Sequence, residues 1–374
     1  MKKMNVLFFI YQMGGGGAAR TLLNIINHLD RTRFMPILVT LNFDGSYEQE
    51  LKKDVKFIKL NTKRLRWAIL PLARIIRNEN IDLVFSTIPN VNTIAILASI
   101  LSLKTNVKNI VREADHLGGD FWTDIKLRLF GRIYTLSDQI ISLSEGVKDN
   151  LVHRYGVRAE KIKVIYNPVD LTAIKDKIRH GAIDPAHAHL FQTEEKIIIT
   201  AGRLVEQKDH RTLLNAFSKV NKQVKSRLIM LGEGPLRERL EQQAVQLNIR
   251  DRVHFIGFQS NPYIYFKQAD LFVLSSQHEG FSHVIVEALA SGTPVVSTNC
   301  KSGPEEVLDR GKYGLLCEVG NAEEMAEKML SILTLKDQQM VEVINKGYLR
   351  AQDFDAHLIV QKYANTFLST LGQD

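Results

Sequence analysis

Short apolar runs alternate with segments whose apolar residues recur every three or four positions, and the alternation persists along the whole chain. In the first half the runs at 5–11, 35–41, 55–60, 83–86, 109–112 and 139–143 read as strands. In the second half the runs at 196–201, 227–231, 253–256, 271–274, 294–297 and 314–317 do the same. Helices fall between them: 18–29, with Leu22, Leu23, Ile25, Ile26 and Leu29 on one broad face, then 210–220 and 236–247. A last amphipathic helix at 356–371 carries Leu358, Ile359, Tyr363, Phe367 and Leu371 as its stripe. Strand and helix alternating in this way predict βαβ units and parallel sheets.

A chain of 374 residues exceeds what one core usually organises, so two such sheets are expected. The seam is placed at Asn167-Pro168-Val169-Asp170, where a strand-like run at 162–166 ends on a proline turn. The polar segment 171–193 then reads as a solvated connector; His180, His187 and His189 within it lack the cysteines or carboxylates of a metal site. The expected fold class is α/β, with two Rossmann-like doubly wound domains facing across a cleft. Ligands of such sheets bind beyond the carboxyl ends of the strands.

The apolar run 6–11 follows Lys2 and Lys3 but is only six residues long and leads into a glycine loop, so a buried strand is expected rather than a signal peptide. The stretch 94–103, broken by Ser99 and Ser102, is about half of what spans a bilayer. Cys300 and Cys317 form no Cys-x-x-Cys pattern, which excludes a disulfide framework or structural zinc site and suits a reducing cytoplasm.

The net charge of +8 is uneven: residues 1–166 hold 25 Lys and Arg against 15 Asp and Glu, and the remainder 24 against 26. Within the basic half, Lys59, Lys63, Arg64, Arg66, Arg74 and Arg77 interleave with Leu65, Trp67, Ile69, Leu70 and Leu72. A solvated face is the plain reading. The apolar residues and the tryptophan favour an anionic membrane surface over nucleic acid.

Three segments carry candidate chemistry. The loop Gly14-Gly15-Gly16-Gly17-Ala18-Ala19-Arg20 follows a strand and opens a helix, so its N–H groups suit an anion. It also fits a dinucleotide fingerprint, with Asp44 as the ribose contact, although four consecutive glycines satisfy almost any glycine pattern. In the second half, Gly202-Arg203 ends a strand and Lys208 follows; an arginine fork and a mobile ammonium can neutralise a diphosphate as negative charge grows on it. Finally, Ser275 to Glu287 holds Glu279 before a turn at Gly280, a helix start near Ser282 with that serine as cap, and Glu287 within the helix. Surface glutamates are the alternative, but Val284, Ile285, Val286, Ala288, Leu289 and Ala290 surround Glu287, and a carboxylate there wants a hydroxyl partner.

Gly202-Arg203 with Lys208, the Glu279-x7-Glu287 spacing and the following Ala288-Leu289-Ala290-Ser291-Gly292-Thr293-Pro294-Val295-Val296 together resemble retaining glycosyltransferase family 4. So do the glycine loop with Arg20, Ser144-Glu145-Gly146-Val147, Asn167-Pro168-Val169-Asp170, Gly232-Glu233-Gly234-Pro235, Ser302-Gly303-Pro304-Glu305-Glu306 and Gly314-Leu315-Leu316. The resemblance implies the GT-B fold. Residues 1–168 would bind the acceptor, 169–355 would bind the nucleotide sugar, and 356–374 would cross back to the first domain.

By the same resemblance Arg203 and Lys208 hold the diphosphate, Glu287 the ribose, and Glu279 with the backbone at Gly280, Phe281 and Ser282 the donor sugar. Gly15 and Gly16 approach the phosphates. Two positions depart: Ala19 stands where the family has a glutamate, and His116 falls about two residues after the family's histidine, so its contact with the donor sugar rests on position alone. The implied activity is transfer of a hexose or N-acetylhexosamine, with retention, from a nucleoside diphosphate sugar, uridine being the family's base. Asn299-Cys300-Lys301-Ser302-Gly303-Pro304 resembles members using N-acetylgalactosamine or similar donors. The acceptor would be a lipid-linked saccharide or another cell-envelope glycan. No cofactor, obligatory metal or nucleic acid is implied, and the enzyme would sit in the cytoplasm, peripheral to the inner face of the cell membrane. Rival readings are a sugar-nucleotide epimerase on the same fold, a NAD-dependent dehydrogenase and a non-catalytic binding protein.

Overall fold

A computed structural model of the chain describes residues 3–14 and 16–373. In chain order its elements are β1 (Met4–Ile10), α1 (Gly17–His28), β2 (Phe34–Thr40), β3 (Lys56–Lys59), α2 (Ile69–Asn78), β4 (Leu83–Thr87), α3 (Pro89–Leu101), β5 (Lys108–Glu113), α4 (Phe121–Tyr134), β6 (Gln139–Ser142), α5 (Glu145–Asn150) and β7 (Ile162–Val164). They continue with α6 (Leu171–His180), α7 (Pro185–Ala188), β8 (Lys196–Ala201), α8 (His210–Val220), β9 (Ser226–Leu231), α9 (Arg237–Gln246), β10 (Val253–Gly257), α10 (Tyr263–Lys267), β11 (Leu271–Leu274) and α11 (His283–Ser291). The chain closes with β12 (Val295–Thr298), α12 (Pro304–Val307), β13 (Leu315–Cys317), α13 (Ala322–Leu333), α14 (Asp337–Gln352) and α15 (Ala356–Leu371). One unit takes the chain up to Val169 and again from Asp355; the other is Asp170–Phe354.

In the first unit seven parallel strands lie in the order β3-β2-β1-β4-β5-β6-β7. Both faces are covered, so β1 is apolar at every buried position. Val6, Phe8 and Ile10 join the layer of α1 and α15, while Leu7 and Phe9 join that of α2 and α3. Phe85 of β4 stacks obliquely on Phe8 and Phe367, each at 5.6 Å, and meets Tyr363 edge-on at 5.8 Å. These aromatic contacts fix α15 to the sheet, and they arise because the last helix has an aromatic stripe of the right period. The order reverses between β1 and β4.

The second unit repeats the design with six parallel strands, β10-β9-β8-β11-β12-β13. One side of its core is α8, α9 and α13, which bury Leu213, Phe217, Leu240, Met325 and Met329. The strand order reverses between β8 and β11, the place where open α/β sheets bind ligands.

Segment 171–193 is not a connector. Asp170 caps α6 by accepting from Ala173 N at 2.8 Å, and Leu171 and Ile174 turn inward so that α6 packs against α10 and α11. Its charged outer face concealed a helix with one buried edge. In the basic segment, Lys59 is engaged by Asp44 and Glu48, each at 2.8 Å, so Asp44 is an ion-pair partner in this structure.

Candidate functional site

The switch point of the second unit gathers the candidates that follow β8 and β11. Gly202 N donates to Leu231 O at 2.9 Å and Leu204 N to Glu233 O at 2.8 Å, so the loop after β8 is held against the loop after β9. The approach is too close for side chains: a Cβ on Gly232 would lie 1.9 Å from Gly202 O, and one on Gly234 2.4 Å from Leu204 O. The glycines of the Gly232–Gly234 loop thereby set the path on which Arg203 is displayed, exposed to solvent. A Cβ on Gly202 would sit 3.4 Å from Lys208 Cε, so the lysine stem lies along that glycine.

Lys208 and Glu279 form an ion pair and hydrogen bond with side chains only 15% and 10% exposed. Three further bonds bring their loops together. Gln277 N donates to Gln207 O at 2.8 Å, Gln207 Nε2 to His278 O at 3.0 Å, and Ser275 Oγ to Lys208 O at 2.8 Å. Ser276 Oγ donates to the same Glu279 Oε1 at 2.7 Å, and Thr298 Oγ1 holds Ser276 O at 2.6 Å. Sequence reasoning missed Ser276 and Thr298; two small hydroxyl residues at strand ends were their only signal. Beneath the loop His210 is buried at the first turn of α8, and burial pushes its imidazole down to about 4, so the ring is neutral.

In the turn after Glu279 the residue in left-handed conformation is Ser282 (φ 68°). Ser282 is the N-cap of α11, but its side chain makes no capping bond, and its Oγ is buried without a hydrogen-bond partner. A non-glycine residue in that conformation is strained, and strain of this kind collects at ligand sites. Phe281 is buried and packs edge-on against Phe354 at 5.2 Å. The neighbouring loop abuts it: a Cβ on Gly303 (φ 85°) would lie 2.9 Å from Phe281 C. Glu287, one turn into α11, is buried with Ile285, Val286, Ala288 and Leu289 around it. Burial, reinforced by the Glu279 charge, pushes the Cys300 thiol up to about 12.

Arg203, Lys208, Glu279, Gly280, Phe281, Ser282 and Glu287 all lie in the second unit. Gly16 and His116 lie in the first, and Gly15 and Lys2 fall outside the described residues. Gly16 caps α1 in extended conformation (φ −122°, ψ 159°), and a Cβ there would meet nothing within 4 Å. Among the described residues, none crowds a side chain at position 16. His116 sits half-buried in the loop after β5, its N–H donating to Asp115 Oδ1 at 3.2 Å. At the root of that loop lies a buried network that the sequence did not announce. Arg112 donates to Thr87 Oγ1 at 2.9 Å, Tyr363 OH at 3.3 Å and Asn167 Oδ1. Glu113 accepts from Tyr134 OH at 2.9 Å, Tyr155 OH at 3.3 Å and Ala114 N at 3.1 Å, and burial raises its carboxyl to about 7. Among the described residues, no group of three or more His, Cys, Asp or Glu is placed to hold a metal ion.

Family models cover both units: Glycosyltransferase Family 4 matches residues 15–173 and Glycosyl transferases group 1 matches residues 185–350. The chain is 30% identical over 368 residues to the N-acetylgalactosamine-N,N'-diacetylbacillosaminyl-diphospho-undecaprenol 4-alpha-N-acetylgalactosaminyltransferase of Campylobacter jejuni, covering 95% of this chain and 96% of that protein. Among solved structures it is similar to a glycosyltransferase from Rickettsia africae, at 20% identity, TM-score 0.83 and full coverage of both chains. It is likewise similar to Anabaena HepE in complex with UDP, at 23% identity and TM-score 0.82, over 98% of this chain and 100% of that one. The chain belongs to glycosyltransferase family 4 and is a glycosyltransferase of GT-B fold.

Proposed function

We propose that the enzyme transfers a hexose or N-acetylhexosamine from a UDP-sugar to a lipid-linked saccharide or another cell-envelope glycan, retaining the anomeric configuration. The observation that carries the donor half is the Lys208–Glu279 pair at the β8/β11 switch point, with Arg203 exposed in the loop after β8. In this reading the diphosphate takes Lys208 and Arg203, the donor sugar takes Glu279 and the turn Gly280–Ser282, and the ribose takes Glu287. The Campylobacter relative, named for transferring N-acetylgalactosamine to a diphospho-undecaprenol-linked saccharide, supports the acceptor class. The HepE complex supports UDP.

The bond from the sugar's anomeric carbon to the diphosphate breaks as the acceptor hydroxyl bonds to that carbon on the same face. The departing phosphate oxygen takes the hydroxyl proton. Arg203 and Lys208 stabilise the charge left on the diphosphate without an obligatory metal. In this reading the enzyme works in the cytoplasm at the inner face of the cell membrane. No helix among the described residues is long and apolar enough to cross a membrane.

Two assays test this. A melting-temperature screen against UDP-, GDP- and ADP-sugars should single out UDP-sugars, with about 2.7 kcal/mol of stabilisation at a hundred times Kd. Release of UDP should then require an acceptor; turnover of donor without one would point to an epimerase.

A further inference from the structure

Helix α4 is apolar on two opposite sides, and only one of them is covered. Leu127, Gly131 and Tyr134 face the core of the first unit and are buried. The helix comes so close to the segment around Tyr155 that a Cβ on Gly131 would lie 1.9 Å from Tyr155 O. At about 100° per residue, Trp122, Ile125 and Leu129 fall roughly opposite that side, and Leu136 extends the stripe past the helix end. All four are exposed, Trp122 at 77% and neighbouring Phe121 at 71%. Folding alone does not require this second stripe, since a surface helix needs one apolar face.

The charges beside the stripe identify its occupant. Lys126 and Arg128 flank it, Arg132 lies within it, and all three are exposed. The acidic residues of the helix are occupied elsewhere: both Asp124 oxygens accept from Arg154 at 2.7 Å, and Asp120 caps the helix through Thr123 N at 3.0 Å. The outer face is therefore apolar along its centre and positively charged along its edges. A partner protein's apolar surface would not call for three cations, and a nucleic acid would not call for a row of large aliphatic side chains. Helix α3 packs against both α2 and α4, so exposed Trp67 and Leu70 belong to the same layer of the unit.

We infer that α4 is the membrane-docking helix of this enzyme, with Trp122, Ile125 and Leu129 in the headgroup–acyl boundary and Lys126, Arg128 and Arg132 on the phosphates of anionic lipid. This rests on the peripheral-membrane reading above and moves its centre from segment 59–77 to α4. It does not depend on the donor or the acceptor.

Sedimentation of the full chain with phosphatidylcholine vesicles, with and without phosphatidylglycerol, tests it. Wild type should pellet only with the anionic vesicles, and less as salt rises. The exposed-site triple variant Trp122→Ser/Ile125→Ser/Leu129→Ser, and separately Lys126→Gln/Arg128→Gln/Arg132→Gln, should each bind about tenfold more weakly or worse, with unchanged melting temperature. Trp67→Phe leaves Trp122 as the sole tryptophan, and its emission should shift to the blue on binding. Loss of binding only on Trp67→Ser/Leu70→Ser would overturn the α4 assignment and keep the membrane reading. No binding by wild type would overturn both. Loss of a dimer in ultracentrifugation with the serine triple variant, vesicle binding being unaffected, would make the face a contact between copies and also overturn it.

Discussion

Lys208 and Glu279, 71 positions apart in the chain, satisfy each other's charge. Assigned to adjoining parts of one donor, the diphosphate and the sugar, they form the most enclosed ion pair in the second unit's loops. A diphosphate that claims Lys208 must draw it from Glu279 and leave that carboxylate to the sugar hydroxyls and Ser276.

Replacing Lys208 by alanine should lower kcat by about 10²-fold or more, because the developing charge loses its nearest mobile cation. It should also cost about 3 kcal/mol of stability, since Glu279 is left buried with only the Ser276 hydroxyl. Steady-state kinetics and urea melts check the two effects. A double variant, Lys208→Met/Glu279→Gln, should recover stability while staying inactive; near-full activity of Lys208→Ala would remove the lysine from the diphosphate site.

Ser282→Gly should make the ligand-free enzyme more stable, by about 1 kcal/mol, because glycine accepts φ 68° without strain and no hydroxyl bond is lost. If the idle hydroxyl serves the donor, the same variant should show a raised KM for the sugar nucleotide. Gain in melting temperature and loss in affinity are expected together, and a gain with unchanged KM would assign the hydroxyl no role in binding.

Glu113 sets a pH dependence with a definite sign. Its folded-state carboxyl lies near 7 against an ordinary 4.5, so the folded chain holds a proton there that the unfolded chain has released. That contribution is full below about 4.5 and is lost as pH rises through 7. Glu113→Gln should therefore gain stability relative to wild type between pH 5 and pH 8, by about 1–3 kcal/mol. A difference in unfolding free energy that stays flat over this range would contradict the assignment.

Activity should survive chelation by EDTA, because the proposed mechanism has Arg203 and Lys208 supply the positive charge that a divalent ion would otherwise bring to the diphosphate. A loss restored by magnesium would reverse that expectation.

Strands were legible to within a residue or two because parallel sheets covered on both faces demand unbroken apolar runs, as in Val6-Leu7-Phe8-Phe9-Ile10. The helix α6 was not legible: its buried edge is only Leu171 and Ile174, diluted by five charged or histidine neighbours between Lys175 and His180. Ser282 was legible as the cap position of α11 but not as a strained residue, since composition marks where a left-handed residue is cheap and not where a site imposes it. Ser276, Thr298 and the Arg112–Glu113 network escaped for another reason. They acquire meaning only when strand ends far apart in sequence lie side by side.

The aromatic stripe of α15 completes a core whose other walls come from β1, α1 and β2 and from β4, β5 and β6. On the ribosome the first unit therefore stands open until the last helix emerges, while the second unit is already whole. The sheet of the first unit is exposed while residues 170–354 are made, so chaperone demand should concentrate on that unit. Deleting α15, remote in sequence from every acceptor-side residue, should render that unit protease-sensitive and spare the other.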